Sequence, residues 1–143
     1  MPYFSDLLRR ANAGLVGLFG VFLCIGSPVM AGVVELTSYG HSAILIKGGG
    51  YSVMLNPFKA VGCAAGLKEP KLKANVILAS SELADEGART NKGLFLVRPG
   101  SYRIKGMKFE GFAVDHDRVG GRRFGKATLW QWNQAGLNFA HFG

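Results

Sequence analysis

The hydrophobic pattern of this chain is a succession of short apolar runs separated by glycines and polar residues, which predicts strands joined by tight turns rather than helices. Val33 to Tyr39, Ala43 to Lys47 and Tyr51 to Leu55 read as three strands, with Gly48-Gly49-Gly50 turning the second into the third. Together they form an N-terminal meander. Val76 to Ala79 is a continuous apolar run that follows a polar loop, the pattern of a strand buried on both faces. Leu94 to Val97, Tyr102 to Ile104 and Met107 to Ala113 come next, divided by the turn pairs Pro99-Gly100 and Lys105-Gly106. Thr128 to Trp132 and Leu137 to His141 close the chain as a hairpin around Gln134-Ala135-Gly136. The one segment suited to a helix is Glu82 to Arg89. No repeat, linker or low-complexity tract divides the chain, so a single domain is expected.

The first 31 residues break this pattern. Arg9 and Arg10 end a short basic region, Ala13 to Ile25 are apolar, and Val29-Met30-Ala31 is a small-x-small cleavage site, so residues 1–31 read as a signal peptide and 32–143 as the mature domain. The alternative is an uncleaved membrane anchor over residues 13–26, although this apolar stretch is short of the roughly 20 residues a span requires. Cys24 sits where a lipid-attachment motif would be sought, but Leu23 before it is too large for one. The expected location is therefore outside the cytoplasm: periplasmic, lumenal or secreted.

Export changes the charge and cysteine arithmetic only slightly. The full chain has 17 Lys and Arg against 9 Asp and Glu; without Arg9, Arg10 and Asp6 the mature part keeps 15 and 8, formally +7. Such a surface could attract an anionic partner. Yet Lys68, Lys71, Lys73, Lys92, Lys105 and Lys108 are scattered singly through turns without interleaved aromatics, which argues against nucleic acid. Cys63 alone remains after cleavage, so no internal disulfide is possible.

Polar residues concentrate at three strand ends: Gly40-His41-Ser42, Ser80 to Glu86, and Asp115-His116-Asp117 leading into Gly120-Gly121-Arg122-Arg123. Loops at strand ends are where a rigid scaffold presents function. Taken singly, each is equally a turn, a solvated face or a polar loop tip. His116 between two carboxylates suits a metal ligand or a general base. With three histidines and one mature cysteine, a zinc site would have to recruit carboxylates. Ser80 or Ser81 with His116 has the residue types of a nucleophilic triad but lacks the G-x-S-x-G elbow. Lys47-Gly48-Gly49-Gly50 opens a strand, not a helix, and so is a hairpin turn instead of a phosphate loop.

In order and spacing these clusters resemble the metallo-β-lactamase superfamily, and within it the branch of small metal-dependent hydrolases that includes ascorbate 6-phosphate lactonase. The resemblance covers about Val34 to Gly143. Tyr39-Gly40-His41-Ser42-Ala43-Ile44-Leu45-Ile46 followed by Met54-Leu55-Asn56-Pro57-Phe58 matches a G-H-S strand and a hairpin into I-D-P-F. Asn56 stands where the family has an Asp beneath its metal site. The family's V-T-H-x-H-x-D-H is here Ala79-Ser80-Ser81-Glu82-Leu83-Ala84-Asp85-Glu86, so Ser81, Leu83 and Glu86 replace three histidines and Asp85 is kept. His116-Asp117-Arg118-Val119-Gly120-Gly121-Arg122-Arg123-Phe124-Gly125 matches H-D-x-x-G-G-x-R-x-G, which puts His116 on a metal-ligand position. Ala140-His141-Phe142-Gly143 matches a strand that continues H-x-G-D, and the chain stops before that bridging Asp.

The resemblance implies a β-rich α/β (α+β) fold, a partial αββα sandwich of which this chain supplies mainly the first half. It therefore implies a truncated gene product, or a fragment whose incomplete sheet is covered by a second copy or a partner chain. The metal positions would be Asp85, Glu86 and His116, with Asp85 the catalytic residue if the protein is active; His41, Asn56, Ser81, Asp117 and Arg122 would line the site. Leucine cannot ligate a metal and serine is a poor zinc ligand. The expected cofactor is thus none, or a weakly bound divalent metal, zinc if any. Two functions follow: a non-catalytic relative of the hydrolases, or an active hydrolase of esters or lactones with a rebuilt single-metal site. A third reading makes the basic surface the functional feature.

Overall fold

A computed structural model describes residues 32–143. Residues 1–31, where a signal peptide is expected, fall outside the described residues. Nine strands form two sheets. The first holds β1 (Glu35–Ser38), β2 (Ile44–Gly48), β3 (Tyr51–Leu55), β4 (Lys73–Leu78) and β5 (Lys92–Leu96), in that spatial order. β1 to β3 are the antiparallel meander, whereas β3, β4 and β5 run parallel. The second holds β6 (Gly100–Ile104), β7 (Met107–Asp115), β8 (Lys126–Gln134) and β9 (Leu137–His141), antiparallel throughout.

Three two-residue turns set the registers. Gly49-Gly50, Lys105-Gly106 and Ala135-Gly136 have positive φ at both positions, the conformation whose twist matches that of the strands it joins. Each leaves an immediate pair: Gly48 with Tyr51, Ile104 with Met107, and Gln134 with Leu137.

The side-chain alternation of the strands then builds two cores. Ile46, Val53, Leu55, Val76, Leu78 and Leu96 face Phe109, Trp130 and Trp132 of the second sheet. Leu45, Met54, Ala74 and Ile77 point the other way and pack with Ala43, Phe58 and Ala64 under the segment 57–72. Both faces of β4 are therefore covered, and Val76, Ile77 and Leu78 are all 0% exposed, as its unbroken apolar run requires. The two β layers match the centre of the expected sandwich. Among the described residues the sole helical element is a 3-10 turn, Gly62–Ala64. No helix among them is long and apolar enough to cross a membrane.

The expected helix at Glu82 to Arg89 is instead a single turn. Glu86 N–H and Gly87 N–H both donate to Leu83 O, but Ala88 N–H is drawn away to Pro57 O. Ser81 Oγ accepts from Leu83 N–H, a local bond that competes with helix propagation. A Cβ at Gly87 would lie 1.9 Å from Ser81 O, so the tight return of this loop requires glycine.

Polar groups of β8 join the sheets. Trp130 Nε1–H donates to Ala79 O (2.9 Å), Thr128 Oγ1 donates to Val97 O (2.7 Å), and Thr128 N–H donates to Ser80 O (2.7 Å). At the other end of the strand, buried Gln134 donates from Nε2 to Gly48 O and Tyr51 O, both at 3.1 Å. Trp130→Ala should accordingly cost about 3–5 kcal/mol of stability, by cavity formation in a fully buried site. Trp130→Phe, which mainly deprives Ala79 O of its donor, should cost about 1–3 kcal/mol. Urea unfolding of the two variants checks both values, and their order is the diagnostic feature.

Candidate functional site

The ends of β3, β4, β7 and β9 converge above the stitched edge of the sandwich. Asn56 follows β3 in the left-handed region (φ 39°), which asparagine tolerates better than most residues, and is completely buried. Its Oδ1 accepts from Ser80 N–H at 2.8 Å. That N–H can only donate, so the amide orientation is fixed and Nδ2 faces the hydroxyls of Ser80 (2.9 Å) and Ser42 (3.3 Å). Asn56 N–H donates to Leu78 O. A neutral amide thus fastens the end of β3 to the end of β4 and to the strand-end loop before β2.

Beyond it, Ser81, Glu86 and His116 form one network. Ser81 Oγ donates to Glu86 Oε1 at 2.8 Å, and His116 Nε2 lies 2.8 Å from the same oxygen. The Glu86 and His116 side chains are only 14% and 20% exposed, so this contact is largely shielded from water. His116 is placed by its position just after β7 and by its N–H, which donates to Gly125 O. The Phe124 ring lies against its imidazole. His141, at the end of β9 and opposite Trp130, completes the group. Burial pushes the His141 imidazole below its ordinary 6.5, and the negative charge of Glu86 pulls it part of the way back. Two buried nitrogens here, His116 Nδ1 and His141 Nε2, have no hydrogen-bond partner among the described residues.

The other residues singled out by sequence hold loops. Asp85 Oδ2 accepts from Cys63 N–H at 3.1 Å and lies where a Cβ at Gly62 would come within 2.6 Å, so it pins the 3-10 turn. Asp117 accepts from the N–H groups of Val119, Gly121, Arg123 and Phe124. Desolvation would raise its carboxyl, but these four donors together hold it below 3.8. Arg122 closes the same loop by donating from Nε to Val119 O. His41 is exposed and meets Phe58 edge to face. Leu83 is also exposed.

The structure therefore brings together Ser81, Glu86 and His116 and adds His141, which the residue patterns quoted as part of H-x-G without a role. Among the described residues no group of three or more His, Cys, Asp or Glu side chains is placed to hold a metal ion. Asp85, Glu86 and His116 do not converge as one donor set.

Comparison with known proteins agrees with this architecture. The beta-lactamase superfamily domain matches residues 35–143. A solved structure from Thermotoga maritima, described as a candidate zinc-dependent hydrolase of the metallo-β-lactamase superfamily, is 24% identical. It superposes with a TM-score of 0.57 over 78% of this chain and 50% of its own. A candidate metal-dependent hydrolase from Parabacteroides distasonis is 14% identical, with a TM-score of 0.56 over 76% of this chain and 60% of its own. The chain thus spans 50% and 60% of the length of these two relatives. No curated protein matches it.

The buried His141 makes stability depend on pH in a defined direction. Its folded pKa lies below 6.5, so the unfolded chain takes up a proton that the fold resists, and stability falls as pH drops through 6.5 towards the folded value. Above 6.5 the two states bind equally few protons and the contribution vanishes. His141→Phe should therefore flatten the melting temperature between about pH 7 and pH 5 relative to the parent. Equal slopes in the two proteins would exclude His141 as the source. Asp117 has the opposite sign. Its lowered carboxyl stabilises the loop above about pH 3.8 and ceases to as pH falls through the folded value. Asp117→Asn should speed amide exchange at Gly121, Arg123 and Phe124 at pH 6, and should approach the parent's rates once the parent carboxyl is protonated.

Proposed function

The chain belongs to the beta-lactamase superfamily, and from that premise we propose that it is an exported, non-catalytic relative of the metal-dependent hydrolases, acting as a binding protein. Within the superfamily, the proposal groups it with the ascorbate 6-phosphate lactonase branch, whose motif order it resembles. The observation that carries the proposal is the double commitment of Glu86 Oε1, which takes a hydrogen bond from Ser81 and the imidazole edge of His116 at equal distance. A hydrolase of this class relies on metal to bring the pKa of its water towards about 7. Zinc needs three or four protein ligands. In this protein Glu86 Oε1 faces His116 Nε2, Asp85 is turned towards Cys63 N–H, and Leu83 offers no ligand atom. The residues as placed do not fit a metal.

A second reading has one observation in its favour: the two unpartnered nitrogens, His116 Nδ1 and His141 Nε2, both buried near Glu86. In that reading the protein is an active hydrolase of esters or lactones with a rebuilt single-metal site. It requires Asp85 to leave Cys63 N–H and join His116 and Glu86.

Metal analysis decides between them. Inductively coupled plasma mass spectrometry on the full chain, purified without chelators, should find zinc, manganese and iron far below one ion per chain. Near-stoichiometric metal that disappears in His116→Ala, together with ester hydrolysis lost in the same variant, would establish the hydrolase instead.

A further inference from the structure

A cleft of about 360 Å³ opens beside the Ser81–Glu86–His116 network, between the Ser81 to Leu83 turn, the end of β5 and the start of β8. Its floor is rigid, because Thr128 bonds both Ser80 O and Val97 O there. Leu83, Phe124, Val97 and Pro99 supply its apolar lining. Leu83 and Phe124 are 38% and 48% exposed, so two large apolar side chains face water in one concave site. Paired exposure of this kind marks a binding surface more than isolated apolar residues do. The volume lies near the lower end of the roughly 300–1,000 Å³ range of small-molecule sites.

Charge on the rim defines the polar end of an occupant. Arg98 and Lys126 border the cleft against a single carboxylate, Glu82. Lys126 is already paired with Asp115, whereas Arg98 makes no ion pair among the described residues. Arg123 adds positive charge over the Phe124 ring, 5.1 Å from its centroid. A guanidinium presents a planar fork of donors that matches a carboxylate with two parallel hydrogen bonds.

We propose that this cleft binds a monocarboxylate with an unbranched apolar tail, of medium-chain fatty-acid size, its carboxylate on Arg98 and its tail between Leu83 and Phe124. The proposal rests on the non-catalytic reading above. Leu83 stands on the loop position where the hydrolases place a histidine, so the same substitution that removes a metal ligand supplies an apolar wall. Arg98 takes no part in the Ser81–Glu86–His116 network, and Phe124 touches it only through the His116 ring.

The test is calorimetric titration of the full chain with octanoate, octanol and octylamine, with metal content measured on the same samples. Octanoate should bind saturably at one per chain, with octanol and octylamine at least tenfold weaker. Arg98→Gln should weaken octanoate at least tenfold and leave octanol unchanged, and Leu83→Asp should weaken both. Both residues are exposed, so neither variant threatens folding. Absence of saturable octanoate binding, or equal affinity in the parent and Arg98→Gln, overturns the assignment. If metal is low and octanoate fails to bind, the cleft assignment falls alone. Stoichiometric metal with octanoate binding lost in His116→Ala and retained in Arg98→Gln overturns both readings, and stoichiometric metal with Arg98-dependent binding overturns only the non-catalytic one.

Discussion

Two sheets that share no strand must be held in one alignment, and here the inner face of β8 does this. Its tryptophan, threonine and glutamine side chains donate to carbonyl oxygens of the opposite sheet at both ends of the strand. Apolar packing alone is not directional and would tolerate sliding of one sheet over the other. A buried carbonyl left without its donor costs on the order of 1–3 kcal/mol, so a slip that broke several of these bonds would be heavily penalised. The same bonds place the loop after β4 against the loop after β7, since Thr128 and Trp130 bond Ser80 and Ala79 directly. Glu86 and His116 meet because the sheets are stitched at that corner.

That origin bears on how the site is read. A buried carboxylate is expensive unless its charge is paired and its oxygens are hydrogen-bonded. Glu86 Oε1 accepts from Ser81 Oγ and lies 2.8 Å from His116 Nε2 in a largely shielded position. Positions 81 and 86 are therefore coupled: serine at 81 supplies a hydroxyl that donates to the Glu86 carboxylate. Asn56 belongs to the same logic. An amide there donates to two serine hydroxyls and accepts from a backbone N–H, without a charge that would call for a nearby cation.

The strands were legible in the sequence because their period-two alternation and glycine turns are local signals. Leu137 to His141 coincides with β9, and Gly49-Gly50 forms the hairpin that its composition implied. The segment Glu82 to Arg89 misled because its helical composition is overridden by distant partners, Pro57 O and the close return at Gly87, which no local pattern contains. The site was legible in part. Ser81, Glu86 and His116 stood out by family spacing, but the direction of Asp85 towards Cys63 depends on a turn more than 20 residues away. His141 was visible as H-x-G at the end of a strand. Its nearness to Glu86 depends on the pairing of β9 with β8, a tertiary fact.

These features separate what holds the fold together from what its strand-end loops do. In a protein whose metal ties loops together, losing the ligands would remove folding energy along with activity. Here the inter-sheet bonds lie on β8, and the core that they align, from Ile46 to Trp132, sits below the strand-end loops. Asp85 and Asp117 each hold a loop through backbone N–H groups. Ser81, Leu83 and Glu86 therefore lie in a strand-end loop apart from the side chains of β8 that hold the sheets together. A scaffold divided in this way lets its strand-end loops vary in what they bind at little cost to the core.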